Sequence, residues 1–327
     1  MPAQRVSYDS YPSGDALGVA LRAGKIPRYL MLSSLAQHCP VVSIGRSALN
    51  ILKISSQGRV AASFRRSLYL ELDGGWCCLV SPQLGAGPIN IVTTLTDGLD
   101  TIDPNTGVVL VGEEFVIGGR LRLAPGRVMA WRAPLVDWSQ QTLFQGLTNL
   151  NLLCLHRNPK AGLSRLVWPG SLACLTSPEL HRAQPVFDSL RLWLRGALGN
   201  KSSSLPPKQI VRLLGLGPGL TPSGDDFLVG LFIALSLCGR RDLVSVVDRM
   251  IRPLIAQLTG PISRLHILAA IDGEGSERFH RMLNAILIGD YRTTSLQLQS
   301  VCLIGDTSGW DALAGAVTVF RELIHAQ

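Results

Sequence analysis

The sequence predicts an α+β protein, with an N-terminal antiparallel β-sheet or small barrel followed by a mainly helical C-terminal domain. Two patterns carry that expectation. Residues 40–132 hold short β-rich runs separated by Gly, Pro, Asn and Asp, and from Pro185 onward the apolar period moves toward 3.6. Size and composition support it, since 327 residues, 46% apolar and 17% charged, are long for one core and ample for two.

The β half begins with runs at 58–71 and 76–80, joined by Asp73-Gly74-Gly75, a strong hairpin signal. Further strands are expected at 89–94, 108–111, 115–123 and 128–131. Pro134, Pro159, Pro169 and Pro178 then interrupt any long element across 133–180. The domain change is placed there, giving a mainly β domain with an irregular connection over 1–180 and a helical domain over 181–327.

In the second half Val186, Leu190, Trp193 and Leu194 share one helical face, and Pro206-Pro207 lead into a short helix at 208–214. The apolar run 227–238 reads as a buried helix, too short to span a bilayer. Leu243, Val247, Met250, Leu254 and Leu258 mark an amphipathic helix, and further helices fit 263–271, 276–288, 292–303 and 309–325.

One pattern occurs twice there. Ser-Gly-x-Asp-x-Leu-x-Gly is written as Ser223-Gly224-Asp225-Asp226-Phe227-Leu228-Val229-Gly230 and again as Ser308-Gly309-Trp310-Asp311-Ala312-Leu313-Ala314-Gly315. Thr221 and Thr307 stand just before the copies, and each copy opens an apolar helix. A helix N-terminus offers unpaired N–H groups and partial positive charge, so a two-jawed anion site is one reading. Simple helix capping by Ser, Thr and Asp is the other. A fragment of the pattern at 13–18 lacks the spacing.

The first copy follows a glycine-rich loop, Gly215-Leu216-Gly217-Pro218-Gly219, which allows close approach of backbone to a ligand but lacks the Gly-Lys-[Ser/Thr] ending of a Walker A loop. Gly217, Gly219, Thr221, Ser223, Gly224, Thr307, Ser308 and Gly309 are therefore candidate substrate-binding residues. Asp225, Asp226 and Asp311 are candidates for catalysis, as base, orienting group or, in a third reading, Mg²⁺ ligands. Thr259 and Ser263 could add hydroxyls, Glu274 a carboxylate at the rim and Asn90 a minor contact, while His266 reads as a core histidine. On a strand Arg65 and Arg66 would face opposite sides, so one of them, Arg65 in the leading reading, could reach an anion across an interdomain cleft.

Several classes drop out. The six histidines show no zinc spacing, and no Gly-x-Ser-x-Gly elbow appears. The net charge of +8 is spread along the chain with no basic tail, so small anions or acidic partner proteins are expected rather than nucleic acid. Seven cysteines without a CxxC motif and an N-terminus without an apolar signal core lead us to expect a soluble cytoplasmic protein away from membranes.

The stretches 215–230, Thr259-Gly260-Pro261-Ile262-Ser263 and 304–315 resemble the AllH family, which includes a subunit of bacterial oxamate carbamoyltransferase. The resemblance is specific in the C-terminal half and looser from Ser63 to Asn90. It implies work beside other carbamoyltransferase subunits in allantoin and purine nitrogen breakdown. The implied reaction converts carbamoyl-oxamate and phosphate to oxamate and carbamoyl phosphate, with no cofactor. Two other roles stay open: a non-catalytic binding or assembly subunit, and a Mg²⁺-dependent enzyme acting on a phosphorylated ligand.

Overall fold

Alternation of large apolar and polar side chains is what closes the N-terminal half on itself. In a computed structural model, which describes residues 36–126, 128–155, 157, 161–168, 177–199 and 205–326, nine strands form one sheet. They are β1 (Gln37–Gly45), β2 (Gln57–Phe64), β3 (Ser67–Leu72), β4 (Gly75–Val80), β5 (Asn90–Thr93), β6 (Gly107–Val111), β7 (Glu114–Ile117), β8 (Leu121–Ala124) and β9 (Ala130–Trp131). The order is β5-β4-β3-β2-β6-β7-β8-β1, and β1 returns to pair with β5, so eight strands close into a barrel. β9 adds to β1 beyond the end of β8. Helix α1 (Arg46–Ile54) follows β1 and buries Ala48 and Leu52 in the barrel core.

The barrel is mixed rather than purely antiparallel. β4–β5 runs parallel because the segment 81–89 returns the chain instead of a hairpin, and β1 runs parallel to β8 and β9, strands distant from it in sequence. Register shifts in β1 and β2 supply the local bends that closure requires. Two expected strands are in fact pairs. Arg65-Arg66 turn the chain between β2 and β3, and Gly118-Gly119, both at positive φ, separate β7 from β8.

Leu68, Leu70 and Leu72 of β3 point into the barrel with Val60, Leu79, Ile91, Phe115 and Leu123. The last four residues of β4, Cys77-Cys78-Leu79-Val80, are all buried. Cys78 and Val80 are covered from outside, where they join Ala86, Ile89 and Val92 beneath Leu265 of the helical region. That second buried face joins the two halves. The Ala86 N–H donates to Glu277 Oε2 at 3.1 Å, the Glu277 N–H returns to the Ala86 carbonyl at 2.8 Å, and Arg46 pairs with Glu274 at 3.0 Å.

The helices are α2 (Gln140–Cys154), α3 (Pro178–Leu198), α4 (Ser223–Leu237), α5 (Arg241–Leu258), α6 (Pro261–Ile271), α7 (Glu277–Ile288), α8 (Tyr291–Val301) and α9 (Ser308–His325). Residues 208–213 form a 3₁₀ turn rather than an α-helix. The expected connection over 133–180 differs from the structure. Ser139 and Thr142 form a reciprocal capping box, and α2 behind it buries Leu143, Leu147 and Leu150 in the helical core. Pro159, Pro169, Cys174 and the fragment at 13–18 lie outside the described residues.

α4 and α9 are the centre of this region and are buried on nearly all sides. They touch at glycines. A Cβ on Gly230 would fall on the Ala312 carbonyl oxygen, and one on Gly315 on the Phe227 carbonyl oxygen. Glu322 of α9, fully buried, accepts from Arg191 Nε at 2.6 Å and Arg195 Nε at 2.9 Å on α3, which fixes the far end of the pair.

A candidate ligand cavity between barrel and helices

A cavity of about 270 Å³ lies where the outer face of the barrel meets the starts of α4 and α9. Tyr69, Cys78 and Asn90 come from the barrel; Thr221, Asp226, His266, Glu274, Ser308 and Gly309 from the helical side. Its position follows from chain geometry. Both copies of the duplicated pattern turn from a loop into a helix here, and the crossing of α4 and α9 brings those turns together. The Thr221 and Ser308 hydroxyls meet at 3.0 Å.

The arrangement has an approximate two-fold character. Ser308 of the second copy lies beside the Asp226 carboxyl of the first, and Ser223 of the first beside the Asp311 carboxyl of the second. Gly224 packs under the Leu213 carbonyl and Gly309 under the Val301 carbonyl, so both second positions admit no side chain. Despite this kinship the two aspartates have different surroundings.

Asp226 is 8% exposed, lines the cavity and leaves Oδ2 without a hydrogen-bond partner. Burial drives its carboxyl well above the usual carboxylate range, Asp311 and Asp225 add to that push, and the Ser308 and Thr221 hydroxyls oppose it. Asp311 is fully buried and not in the cavity wall. Its Oδ1 accepts from the Leu163 N–H at 2.6 Å and the Ser164 N–H at 3.1 Å, anchoring the 3₁₀ turn Leu163–Leu166 against α9. Burial lifts its pKa to about 6, with Ser223, Thr307 and the two backbone N–H groups resisting the rise.

Asp225 faces the other way. It accepts from the Gly215 N–H at 2.8 Å, from Ser263 Oγ at 2.7 Å and from Thr259 Oγ1 in a short contact. This carboxyl ties the glycine loop to the start of α6, and burial raises its pKa against the pull of those donors. Thr259 and Ser263 are thus occupied by Asp225 rather than by the cavity.

Several expectations are corrected here. Arg65 sits in the β2–β3 turn, exposed, paired with Asp97 at 3.0 Å, and it does not line the cavity. A two-residue turn directs both arginines outward instead of across a cleft. Gly217 and Gly219 have positive φ but lie outside the wall, and Gly217 packs against the backbone of Ser223. The first N–H groups of α4 are also engaged. Gly224 donates to the Leu216 carbonyl at 2.9 Å, and Asp225 and Asp226 donate to the Pro222 carbonyl at 2.9 and 3.1 Å. Neither helix is capped by a pattern side chain, since the N-cap positions are Pro222 and Thr307 and neither makes a side-chain cap bond. Thr307 and Ser223 instead support Asp311.

Among the predicted site residues, Thr221, Asp226, Ser308 and Gly309 converge on the cavity, with Asn90 and Glu274 beside them. His266, read as a core residue, lines it too. It hydrogen-bonds to none of the described residues, and burial pushes its imidazole pKa down to about 4, so it is neutral. Its place three residues after Ser263 was the available signal, because one helical turn carries it from the Asp225 contact to the cavity. Tyr69 and Cys78 had no sequence signal beyond alternation on adjacent strands. Among the described residues no Lys or Arg lines the cavity, and no three His, Cys, Asp or Glu side chains are grouped to hold a metal.

The fold and cavity define a class: a closed β-barrel set against a helical region, with a pocket between them to which a duplicated loop–helix turn contributes its polar side chains. Residues 213–320, which contain both copies, match the AllH family, described as oxamate carbamoyltransferase subunit AllH. The motif resemblance is therefore borne out over that stretch. No curated protein and no solved structure matches the chain. Among the described residues no helix is long and apolar enough to cross a membrane.

Proposed function

We propose that the chain is a subunit of a carbamoyltransferase of the oxamate carbamoyltransferase type, and that the cavity between barrel and helices holds its small anionic substrate. The observation that carries this reading is the convergence of Thr221, Asp226, Ser308 and Gly309, all from the family-matched stretch, on one pocket. In the forward reaction a phosphate oxygen attacks the terminal carbamoyl carbon of carbamoyl-oxamate. The bond from that carbon to the oxamate nitrogen breaks, and the nitrogen takes the proton that phosphate brought. The products are carbamoyl phosphate and oxamate.

The residues present suit parts of that exchange. The Thr221 and Ser308 hydroxyls can donate to a carbonyl oxygen on which negative charge develops. Asp226, whose burial favours the protonated form, can give a proton to the departing nitrogen and take back the one that phosphate brought. Other subunits of the complex are the expected partners, and this route uses no cofactor. An assembly role, with the chemistry in a partner subunit, is favoured by one observation, the absence of Lys and Arg among the described lining residues.

The test is phosphate-dependent release of oxamate by the chain assembled with its partner subunits. Asp226→Ala and Ser308→Ala should each lower kcat/KM by about 10²-fold or more, a range usual for removing a proton-transfer or oxyanion group. Arg65→Ala should leave the rate unchanged. Unaltered turnover in both cavity variants would remove the catalytic reading, and activity confined to the partners would favour assembly.

A further inference from the structure

We infer that the solvent face of α2 is a homodimer interface, on which a second copy of this chain packs its own α2 antiparallel about a two-fold axis at Thr148. The inference stands apart from the cavity and from the reaction proposed for it.

Among the described helices, only α2 contains no Asp, Glu, Lys, Arg or His. Its buried side is ordinary, with Leu143, Leu147 and Leu150 in the helical core. Its other side is not. Phe144 is 59% exposed, Leu152 54%, and Leu155, one residue past the helix, 70%. With Thr148 they follow at intervals of four, four and three residues, which sets them in one row along the helix. Leu192 of α3 makes the contrast: it is exposed too, but Asp188 and Arg195 lie one turn to either side. A single exposed leucine of that kind needs no partner, whereas an apolar row on an uncharged helix marks a contact surface.

Two observations select a second copy as the cover. The first is charge. The chain carries +8, so two copies repel each other, and approach costs least where neither presents a charge. An acidic or basic partner would find nothing on α2 to pair with. The second is register. In an antiparallel pair centred on Thr148, residues equally far before and after it face each other. Phe144, four residues before, meets Leu152 of the second copy, four after. Gln141, seven before, lays its aliphatic stem on Leu155, seven after. A two-fold contact requires such self-complementarity. Thr148 is small, and its hydroxyl already donates to the Phe144 carbonyl at 2.9 Å, so no polar group is stranded at the axis. Gln145 is engaged as well, donating to Asn149 Oδ1 at 3.0 Å.

A row about 21 Å long and about 10 Å wide falls short of the roughly 800 Å² per partner of a standard interface. Exposed apolar neighbours extend it. Ile288 adjoins Gly289, whose carbonyl accepts from Asn149 at 3.0 Å, and Leu296 belongs to α8, which packs beside α2. The expected dimer is therefore reversible, with a dissociation constant in the micromolar range.

Sedimentation velocity on the full chain, from about 1 to 100 µM, should show a monomer–dimer equilibrium. Phe144→Lys and Leu152→Glu should each weaken the dimer by about 100-fold, since each change enters a two-fold contact twice. Combined in one chain they should restore much of it, because the introduced ammonium and carboxylate then face each other twice across the axis. The regained dimer should weaken with salt. Far-ultraviolet circular dichroism should be the same for all three variants and wild type, which separates dissociation from unfolding. A wild-type chain that stays monomeric, or a dimer untouched by either single change, would overturn the proposal. Dissociation by both single changes without recovery in the pair would overturn the antiparallel register. A chain that is monomeric alone, and whose Phe144→Lys variant loses binding to the other carbamoyltransferase subunits, would overturn the second copy and assign the face to them.

Discussion

Gly230 and Gly315 stand at the same place in the two copies of the duplicated pattern, and each is pressed against the backbone of the other copy's helix. A Cβ at Gly230 would strike the Ala312 carbonyl, and one at Gly315 the Phe227 carbonyl, the fifth pattern position in both cases. The repeat is therefore a device for crossing two helices closely as well as a source of cavity residues. Gly230→Ala and Gly315→Ala should each destabilise the chain by about 1–3 kcal/mol, the usual cost of forcing extra atoms into a packed interior. Gly196→Ala in α3, where a Cβ meets nothing within 4 Å, should instead stabilise it by about 0.5–1 kcal/mol. Denaturant midpoints measured on the three variants check this.

Asp225 is predicted to be a structural residue. Its two oxygens gather the Gly215 N–H, Thr259 and Ser263, so Asp225→Ala leaves buried donors without a partner. The expected loss is about 2–4 kcal/mol of stability. At a temperature where the variant is folded, oxamate affinity should change by less than about threefold, since the carboxyl does not line the cavity. A large drop in affinity with unchanged melting temperature would reverse the assignment.

These contrasts show what could be read from residues alone. Apolar periodicity and turn chemistry located the helical half and most of the strands, because both are local properties. The duplicated pattern identified the right loops for the same reason. Local reading could not tell Asp225 from Asp226. They are neighbours in sequence, and which one faces the cavity is decided by where Gly215, Thr259 and Ser263 arrive from elsewhere. Arg65 was misplaced because the run 58–71 looks continuous, and the turn at Arg65-Arg66 has no Gly, Pro or Asn to announce it. His266 was read as a core histidine although its spacing from Ser263 was a signal, because the barrel face that makes its environment a cavity is distant in sequence. The family match covers 213–320, which is also where the local signals were strongest.

Asp311 should make its own contribution to the pH dependence of stability. Its folded-state pKa is lifted from 3.8 to about 6, so between those values the native state binds more proton than the unfolded chain. Stability from this group is full below about pH 4, falls as pH rises to about 6, and is flat beyond. At about 1.4 kcal/mol per pKa unit, the fall amounts to about 3 kcal/mol. Asp311→Asn keeps an oxygen for the Leu163 and Ser164 N–H groups and removes the titration. The stability of Asp311→Asn relative to wild type should therefore rise between pH 4 and pH 6.5. A constant difference across that interval would refute the assignment. Gly162, whose added Cβ would lie 2.5 Å from Asp311 Oδ1, should tolerate no alanine for steric reasons alone.

Asp226 should show the exchange of stability for function most directly. Its pKa is raised by burial, so the sign matches that of Asp311: stability is present at low pH and is lost as pH rises through the folded-state pKa. Above that point the free chain holds a desolvated carboxylate whose Oδ2 has no hydrogen-bond partner. Asp226→Asn relieves the charge, keeps the size and still leaves a polar group for Ser308 and Thr221. The variant should therefore be more stable than wild type at alkaline pH, by about 1 kcal/mol or more, and nearly equal to it in acid. Turnover in the assembled complex should fall in the same variant. A residue that served only to hold α4 in place would behave in the opposite way, losing stability together with activity. Melting curves at pH 5 and pH 8.5, beside the oxamate-release rate, separate the two roles.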